Sequence, residues 1–337
     1  MKVTLKTIAE EAGLSVTTVS RALAGYDDVN EETRQRIAAI AERLGYQPNL
    51  TARHLRSKFT DTIGMVIPRT AYFSDSFFME LLAGVGRQAS EYGFDLLLSV
   101  QMSGDPEMAA YRRMVAGARV DGMVLSRILR HDPRIDYLQS VEHPFVAFGR
   151  SDQDDYPFID VDGALGVCQL VGHFVAYGHR RIGMIRSPQE LAFTPIRVQG
   201  YRDGLKEAGL DYDETLVVDG DLTQLSGQQA AEALLARPDP PTAIIACNDL
   251  MALGAMTALK AMGRRVGTDV AVAGFDDIAA SAVADPPLTT VRQPIYDIGC
   301  LLVTQLVHIL RGTSFDDDRT SIAPELIVRA SSGSPRS

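Results

Sequence analysis

No stretch of about 18 or more uncharged apolar residues occurs in the 337-residue chain, so no membrane-spanning helix is expected. An export signal is not expected either, because the first residues, MKVTLKTIAEEAG, carry acids where a signal peptide is apolar. Cysteine is scarce. Cys168, Cys247 and Cys300 lie far apart in apolar stretches, which reads as buried free thiols in a reducing cytoplasm rather than as a metal site or a nucleophile. No G-x-G-x-x-G follows an early strand and no phosphate-loop signature is present. The six histidines show no metal-ligand spacing. An enzyme on a nucleotide-binding fold is therefore disfavoured, and neither a metal nor a cofactor is expected. Positive charge is also in deficit: the net charge of −10 argues, at first sight, against a nucleic-acid partner.

The distribution of that charge says otherwise. Residues 1–58 carry nine Lys/Arg against seven Asp/Glu, whereas the remainder carries 24 against 36. The basic excess is concentrated in Arg53, His54, Arg56 and Lys58, around the single apolar Leu55. A local basic patch can grip phosphates while the rest of the molecule repels them. The length suggests two or three domains with ample material for buried cores, and 46% apolar with 23% charged residues suits a soluble globular protein.

The first 46 residues read as three short helices. TLKTIAEEAG places Leu5, Ile8, Ala9 and Ala12 on one face. SVTTVSRALAG follows a tight break at Gly13-Leu14, with Ser15 as its N-cap. Asn30 caps a third helix with Glu31 and Glu32 in its first turn; Ile37, Ile40, Ala41 and Leu44 form its apolar stripe and Gly45 ends it. From Thr62 onward apolar strand-like runs alternate with amphipathic helical stretches, in two similar series: TIGMVIP to FVAFGR, then from about Phe158 through RIGMIRS, LVVDGD and AIIACND to VAVAGFDD. This is the pattern of parallel sheets covered by helices on both faces, here in two halves with a cleft between them. The tail, YDIGCLLVTQLVHIL and ELIVR, is expected to return and complete the lobes.

Ala9, Gly13 and Val19 fit a helix-turn-helix: a small residue at the crossing, a residue tolerant of unusual backbone angles at the turn, and an apolar residue behind the second helix. Ile8, Leu14 and Ala22 are the expected buried positions. The same residues also suit an ordinary helical hairpin. The exposed face of the second helix favours DNA, since Val16 can touch a thymine methyl, Thr17 offers hydroxyl and methyl, and Arg21 can read guanine bidentately. In the body, Asn248-Asp249 and Asp276-Asp277 end strands where open parallel sheets bind ligands, although helix capping explains Asp249 and Asp277 equally well. Arg197 reads either as a surface arginine or as a cleft residue. Phe77 and Phe78 read as the first turn of a core helix.

LKTIAEEAGLSVTTVSRALAG, followed by VNEETRQRIAAIAERLGYQPNLTARHL, resembles the DNA-binding headpiece of the lactose-repressor (LacI/GalR) family of bacterial transcription regulators. PTAIIACNDLMALGAM, VAVAGFDD and PPLTTVRQP are similar to that family's effector-binding core, so the resemblance spans the chain. It implies an all-α helix-turn-helix headpiece over 1–46 and a hinge helix with linker over 47–60. Residues 61–337 would form an α/β bilobed periplasmic-binding-protein-like effector domain, two doubly wound parallel-sheet lobes. The resemblance implies base-reading positions at Val16, Thr17 and Arg21. The set expected to contact DNA comprises these with Thr7, Ser15, Thr18, Ser20 and Asn30, and, across the hinge, Asn49, Ala52, Arg53, Leu55 and Arg56. Leu55 would act as a wedge in the minor groove, flanked by arginines on phosphate. Arg197 and Asp276 become the leading effector contacts and Asn248 a third, with Tyr72, Phe73, Phe77, Arg150 and Leu222 also facing the ligand. Gly149 stands where a lactose-binding member has an acid, and Leu222 where the family often has an aromatic, which weakens the case for a galactoside or purine effector.

The expected function is a cytoplasmic, sequence-specific repressor whose affinity for near-palindromic double-stranded operator DNA is controlled by a small molecule, a sugar or sugar derivative. A homodimer is expected, since one headpiece makes too few contacts. No leucine heptads follow ELIVRASSGSPRS, so a tetramer-forming tail is not expected. Effector-driven release is the favoured direction. A co-repressed regulator of non-sugar metabolism and a solute-binding protein remain as alternatives.

Overall fold

Helices α1 (Leu5–Ala12), α2 (Val16–Leu23) and α3 (Glu31–Arg43) pack around a small core of Ile8, Ala9, Val19, Ala22, Val29, Ile37 and Ala41. The structure is a computed structural model that describes residues 3–23, 26, 28–46, 59–68, 76–152, 155–314 and 319–333. The chain divides into two units, Met1–Thr60 and Asp61–Ser337. In the first, Gly13 closes α1 at φ 65°, a left-handed conformation that a side chain would strain. Ser15 Oγ accepts from Thr18 N at 3.0 Å, and Asn30 Oδ1 accepts from Thr33 N at 2.8 Å, so both sequence-assigned N-caps form. Leu14 is only half-buried, against the expectation of a core position, because it lies at the turn and packs on the rim of the core.

The second unit begins with β1 (Thr62–Pro68), α4 (Ser76–Tyr92), β2 (Asp95–Gln101), α5 (Asp105–Ala116), β3 (Gly122–Leu125), α6 (Pro133–Ser140), β4 (Phe145–Phe148) and β5 (Phe158–Val161). It continues with α7 (Gly163–Ala176), β6 (Ile182–Arg186), α8 (Phe193–Glu207), β7 (Val217–Asp219), α9 (Gln224–Leu235), β8 (Ala243–Ala246), α10 (Asp249–Ala261), β9 (Ala271–Ala273), α11 (Ala279–Val283) and β10 (Thr290–Arg292). The tail supplies α12 (Ile295–Arg311), β11 (Arg319–Ile322) and β12 (Glu325–Ile327). One lobe holds a parallel sheet in the order β11-β5-β4-β3-β1-β2, the other a parallel sheet in the order β7-β6-β8-β9. The bilobed parallel architecture is the one the alternating pattern indicates.

Strand alternation sorts side chains onto the two faces of the first sheet. Ile63, Met65 and Ile67 of β1 pack beneath α4 and α12, while Val66 faces Tyr111 and Met114 of α5. Helices α4 and α12 cross closely at glycines: a Cβ on Gly84 would lie 2.1 Å from Tyr296 O, and one on Gly299 2.5 Å from Leu81 O. The chain passes between lobes after β5, after β10 and after β11. The tail thus returns to both lobes, α12 and β11 to the first and β12 to the second, where it pairs antiparallel with β10.

The sequence pattern did not reveal α7, α11 or β11. Helix capping does not describe Asp249 or Asp277. The cap of α10 is Asn248, whose Oδ1 accepts from Met251 N at 3.0 Å. Asp249, fully buried, instead accepts from Ile278 N at 2.9 Å, Ser281 Oγ at 2.6 Å and Thr290 Oγ1, joining α10, α11 and β10. Asp277 pairs with Arg292 at 2.8 Å and Arg329 at 2.7 Å. Only Cys247 of the three cysteines is fully buried; Cys168 and Cys300 are half-buried, and all three are free.

Burial pushes the Asp249 carboxyl up to about 6, against the pull of its hydrogen bonds. The folded value lies above the unfolded 3.8, so its protonated form favours the fold. The contribution is complete below about pH 3.8 and is lost as pH rises through about 6. The stability of the wild type minus that of Asp249→Asn is expected to fall over this window by about 3 kcal/mol, at about 1.4 kcal/mol per unit, in urea titrations at stepped pH. A difference that is flat or rises with pH contradicts this.

Candidate functional site

The carboxyl ends of both parallel sheets open onto one cleft of about 160 Å³. Ile67, Pro68, Ser126, Arg127, Phe148, Gly149, Arg150 and Asp160 line it from the first lobe, with Phe77, Phe78 and Leu81 of α4. Phe193, Ile196 and Arg197 of α8, Leu222, Asn248, Asp276 and Gln293 line the other side. Phe77 stacks on Phe148 with centroids 6.2 Å apart, so the ring of Phe77 serves both core and cleft, as does partly buried Phe78.

Arg197 is 7% exposed and is the centre of the second-lobe wall, which excludes the surface alternative. Its guanidinium carbon lies 3.7 Å from the Phe275 ring centroid and 4.5 Å from that of Phe193. Nη1 donates to Cys247 O, and Nη2 lies 3.9 Å from Asp276 Oδ1. Nε is buried without a hydrogen-bond partner among the described residues. Asp276, at φ 123°, is held by Gln293 Nε2 at 2.6 Å. On the first lobe, Arg150 Nε lies 3.2 Å from Asp160 Oδ2, and burial raises the Asp160 carboxyl above its usual range, an effect Arg150 opposes. Arg127 lies 3.4 Å from Glu107. Arg150 and Arg197 thus each have a cleft carboxylate beside them, and Arg127 is offset by Glu107 behind the wall, giving many donors and acceptors with the charge locally balanced.

Asn248 lines the cleft, but its amide is engaged at both ends: Oδ1 caps α10 and Nδ2 donates to Leu222 O at 3.0 Å. It shapes the wall as much as it offers a contact. Leu222 sits at φ 72°, 8% exposed. Tyr72 and Phe73 lie outside the described residues, as do Asn49, Ala52, Arg53, Leu55 and Arg56.

A buried charge cluster behind the cleft was not legible in the sequence. Arg134, 2% exposed, pairs with Asp132 at 2.5 Å and Glu107 at 3.0 Å, and donates to Ser126 O at 3.2 Å and Arg127 O at 2.9 Å. It thereby fixes the backbone of the lining loop, where Arg127 sits at φ 54°. The next residues reach the other lobe: Ala192 N donates to Ile128 O and Arg130 N to Glu190 O, both at 2.9 Å. The signal present in the sequence was Asp132-Pro133, an N-cap followed by proline at the first helical position; nothing local announced the charge partners.

The first unit presents a different surface. Val16 is 45% exposed at the start of α2, with Thr17 beside it, and Arg21 is exposed one turn on. The hydroxyls of Ser15 and Thr18 lie 2.9 Å apart in the cap of α2, and those of Thr4 and Thr7 lie 3.1 Å apart in the cap of α1. Asn30 caps α3 and Ser20 is half-buried, so Val16, Thr17 and Arg21 are the most available groups of the predicted set.

A helix-turn-helix unit joined to a two-lobed α/β body with a polar cleft defines the class: a DNA-binding transcriptional regulator with a periplasmic-binding-protein-like body. Residues 4–49 match the model of bacterial regulatory proteins of the lacI family, and residues 171–332 match the periplasmic binding protein-like domain. The chain is 37% identical over 99% of its length to the HTH-type transcriptional regulator AglR of Rhizobium meliloti (strain 1021), covering 95% of that protein. Among solved structures, a complex of the transcriptional regulator CelR with cellobiose is 36% identical, with a TM-score of 0.77 over 98% of this chain and 100% of that one. The lac repressor dimer bound to operator and the anti-inducer ONPF is 28% identical, with a TM-score of 0.88 over 99% and 100%. The chain belongs to the lacI family of bacterial transcriptional regulators.

Removing the Arg134 guanidinium strands the buried Asp132 and leaves Glu107 with Arg127 alone. Arg134→Met is expected to lower the stability of the body by about 3–5 kcal/mol in urea unfolding. A loss below about 1 kcal/mol contradicts the pairing.

Proposed function

We propose that the chain is a cytoplasmic repressor whose cleft binds a neutral sugar, and that this binding weakens its hold on operator DNA. The observation that carries the sugar reading is the charge balance of the cleft. Arg150 and Arg197 each face a cleft acid and Arg127 is offset by Glu107 behind the wall, so the walls offer charge-assisted hydrogen bonds to hydroxyls without attracting a net anion. Phe77, Phe148 and Phe193 add flat apolar faces suited to the C–H face of a sugar ring. The cellobiose held by the CelR neighbour supports the same ligand class. No described helix is long and apolar enough to cross a membrane. No catalytic role is assigned to any residue, in keeping with relatives that are regulators.

The DNA-contacting set is Val16, Thr17 and Arg21 on bases, with Thr7, Ser15, Thr18, Ser20 and Asn30 around them, and the basic sequence 47–58 coupling the two units. The working form is a homodimer reading a near-palindrome. Supporting this, Met79 on α4, Leu98 and Val100 on edge strand β2, and Met102 beyond it are exposed apolar side chains that a second copy of the chain would cover. Sugar binding to one arrangement of the lobes shifts the population of that arrangement, and with it the affinity for operator.

A thermal-shift screen tests the cleft. Neutral sugars are expected to raise the melting temperature of the body, by the equivalent of about 2.7 kcal/mol at a hundred times the dissociation constant, and uronates and sugar phosphates are not. Arg197→Met should remove the response and leave DNA binding intact. A response confined to anionic ligands, or one that survives Arg197→Met unchanged, overturns the assignment.

A further inference from the structure

Arg21 does not project freely from α2. Its Nη2 lies 2.6 Å from Asp28 Oδ2 and its Nε donates to Asp28 Oδ1 at 3.2 Å, so the carboxylate grips one edge of the guanidinium with two parallel bonds. Its guanidinium carbon lies 5.4 Å from the centroid of the Tyr26 ring. The backbone on either side of Asp28 is held from α3: Arg34 donates to Tyr26 O at 3.0 Å and Val29 O at 3.2 Å, and pairs with Glu31 at 3.2 Å. A long cation with many rotamers is thus held by a charge and a ring, with the carbonyls of Tyr26 and Val29 held by Arg34.

An arginine has five N–H groups in a fixed fork. Asp28 occupies the Nε–H and one Nη2–H. The two hydrogens of Nη1 and the other of Nη2 point away from the carboxylate as a fork with no partner among the described residues, the geometry that donates to O6 and N7 of guanine. We propose that Asp28, with Tyr26 behind it, is a specificity-determining positioning residue that presets Arg21 for end-on reading of a guanine; this rests on the base-reading role given to Arg21 above. Two consequences follow from the chemistry. The rotamer freedom of Arg21 is removed before DNA arrives, so less is lost on contact. The acid beside the fork also repels phosphate, which keeps Arg21 from settling on the backbone, where it would strengthen binding to every sequence alike. Asp28 and Arg21 are each about half exposed, at 48% and 47%, so the pair adds little to folding and its replacement leaves the helices intact.

The test uses the full chain. The wild-type protein selects its duplex from a pool of randomised double-stranded DNA, and affinities are then measured for that duplex and for every single base-pair change in it. Asp28→Asn keeps the shape and removes the charge. It is expected to reduce discrimination at one G·C pair by about tenfold, the same pair at which Arg21→Ala loses its preference, while affinity for non-cognate duplexes holds or rises. A common gain in affinity across all duplexes, with every preference kept, overturns the proposal and reduces Asp28 to a charge. An equal loss for all duplexes overturns it in favour of a structural role. Arg21→Ala with no altered base preference removes the base-reading assignment itself. A selective Arg21→Ala loss beside an unchanged Asp28→Asn preference overturns the positioning role alone.

Discussion

The Arg197 guanidinium is a cation held in an almost dry wall, and the organisation of the cleft depends on how it is satisfied. A buried charge is tolerated only with partners arranged around it. Two aromatic faces, a carbonyl and Asp276 meet most of that need, and Nε is left without a protein partner among the described residues. The partners come from distant parts of the chain: Phe193 from the start of α8, Cys247 from the end of β8, Phe275 and Asp276 from the end of β9. Asp276 in turn is fixed by Gln293, in the segment that crosses between lobes. Under the proposed function, a ligand hydroxyl that accepts from this arginine would act on a residue network that reaches, through Asp276 and Gln293, into a lobe connection, and this would couple ligand to lobe arrangement.

The same economy of charge runs through the other lobe and the helical unit. Arg134 is buried because Asp132 and Glu107 are buried with it, and its remaining donors hold the carbonyls of a lining loop that also bonds across to Glu190 and Ala192. In the helical unit the pairing of Arg21 with Asp28 is exposed, so its value lies in direction rather than stability. In each case an acid decides where an arginine's free hydrogens point.

Much of the fold was legible because period and punctuation agree with it. TIGMVIP is β1 to the residue, and the helices foreseen near 77–92 and 250–262 are α4 and α10 within a residue at each end. Helix α7 was hidden because GALGVCQLVGHFVA is apolar on most sides and carries three glycines, so it shows no clean stripe. Strand β11 was hidden because RTSI is a short, polar edge strand, recognisable only once β5 lies beside it. The site was legible in part. Asn248 and Asp276 followed from strand ends, whereas Arg197 alone was ambiguous between surface and cleft, and only the family resemblance favoured the cleft. Arg134 with Glu107, and Asp249 with Thr290, are pairs 27 and 41 residues apart whose meeting no local pattern announces.

The central claim is that occupation of the cleft and grip on DNA are one equilibrium. It is tested most directly by measuring operator affinity without and with a saturating neutral sugar, and sugar affinity without and with saturating operator. The account predicts that each ligand weakens the other by the same factor, about 5- to 150-fold, as thermodynamic linkage requires. Operator affinity unchanged by a sugar that demonstrably fills the cleft would contradict it.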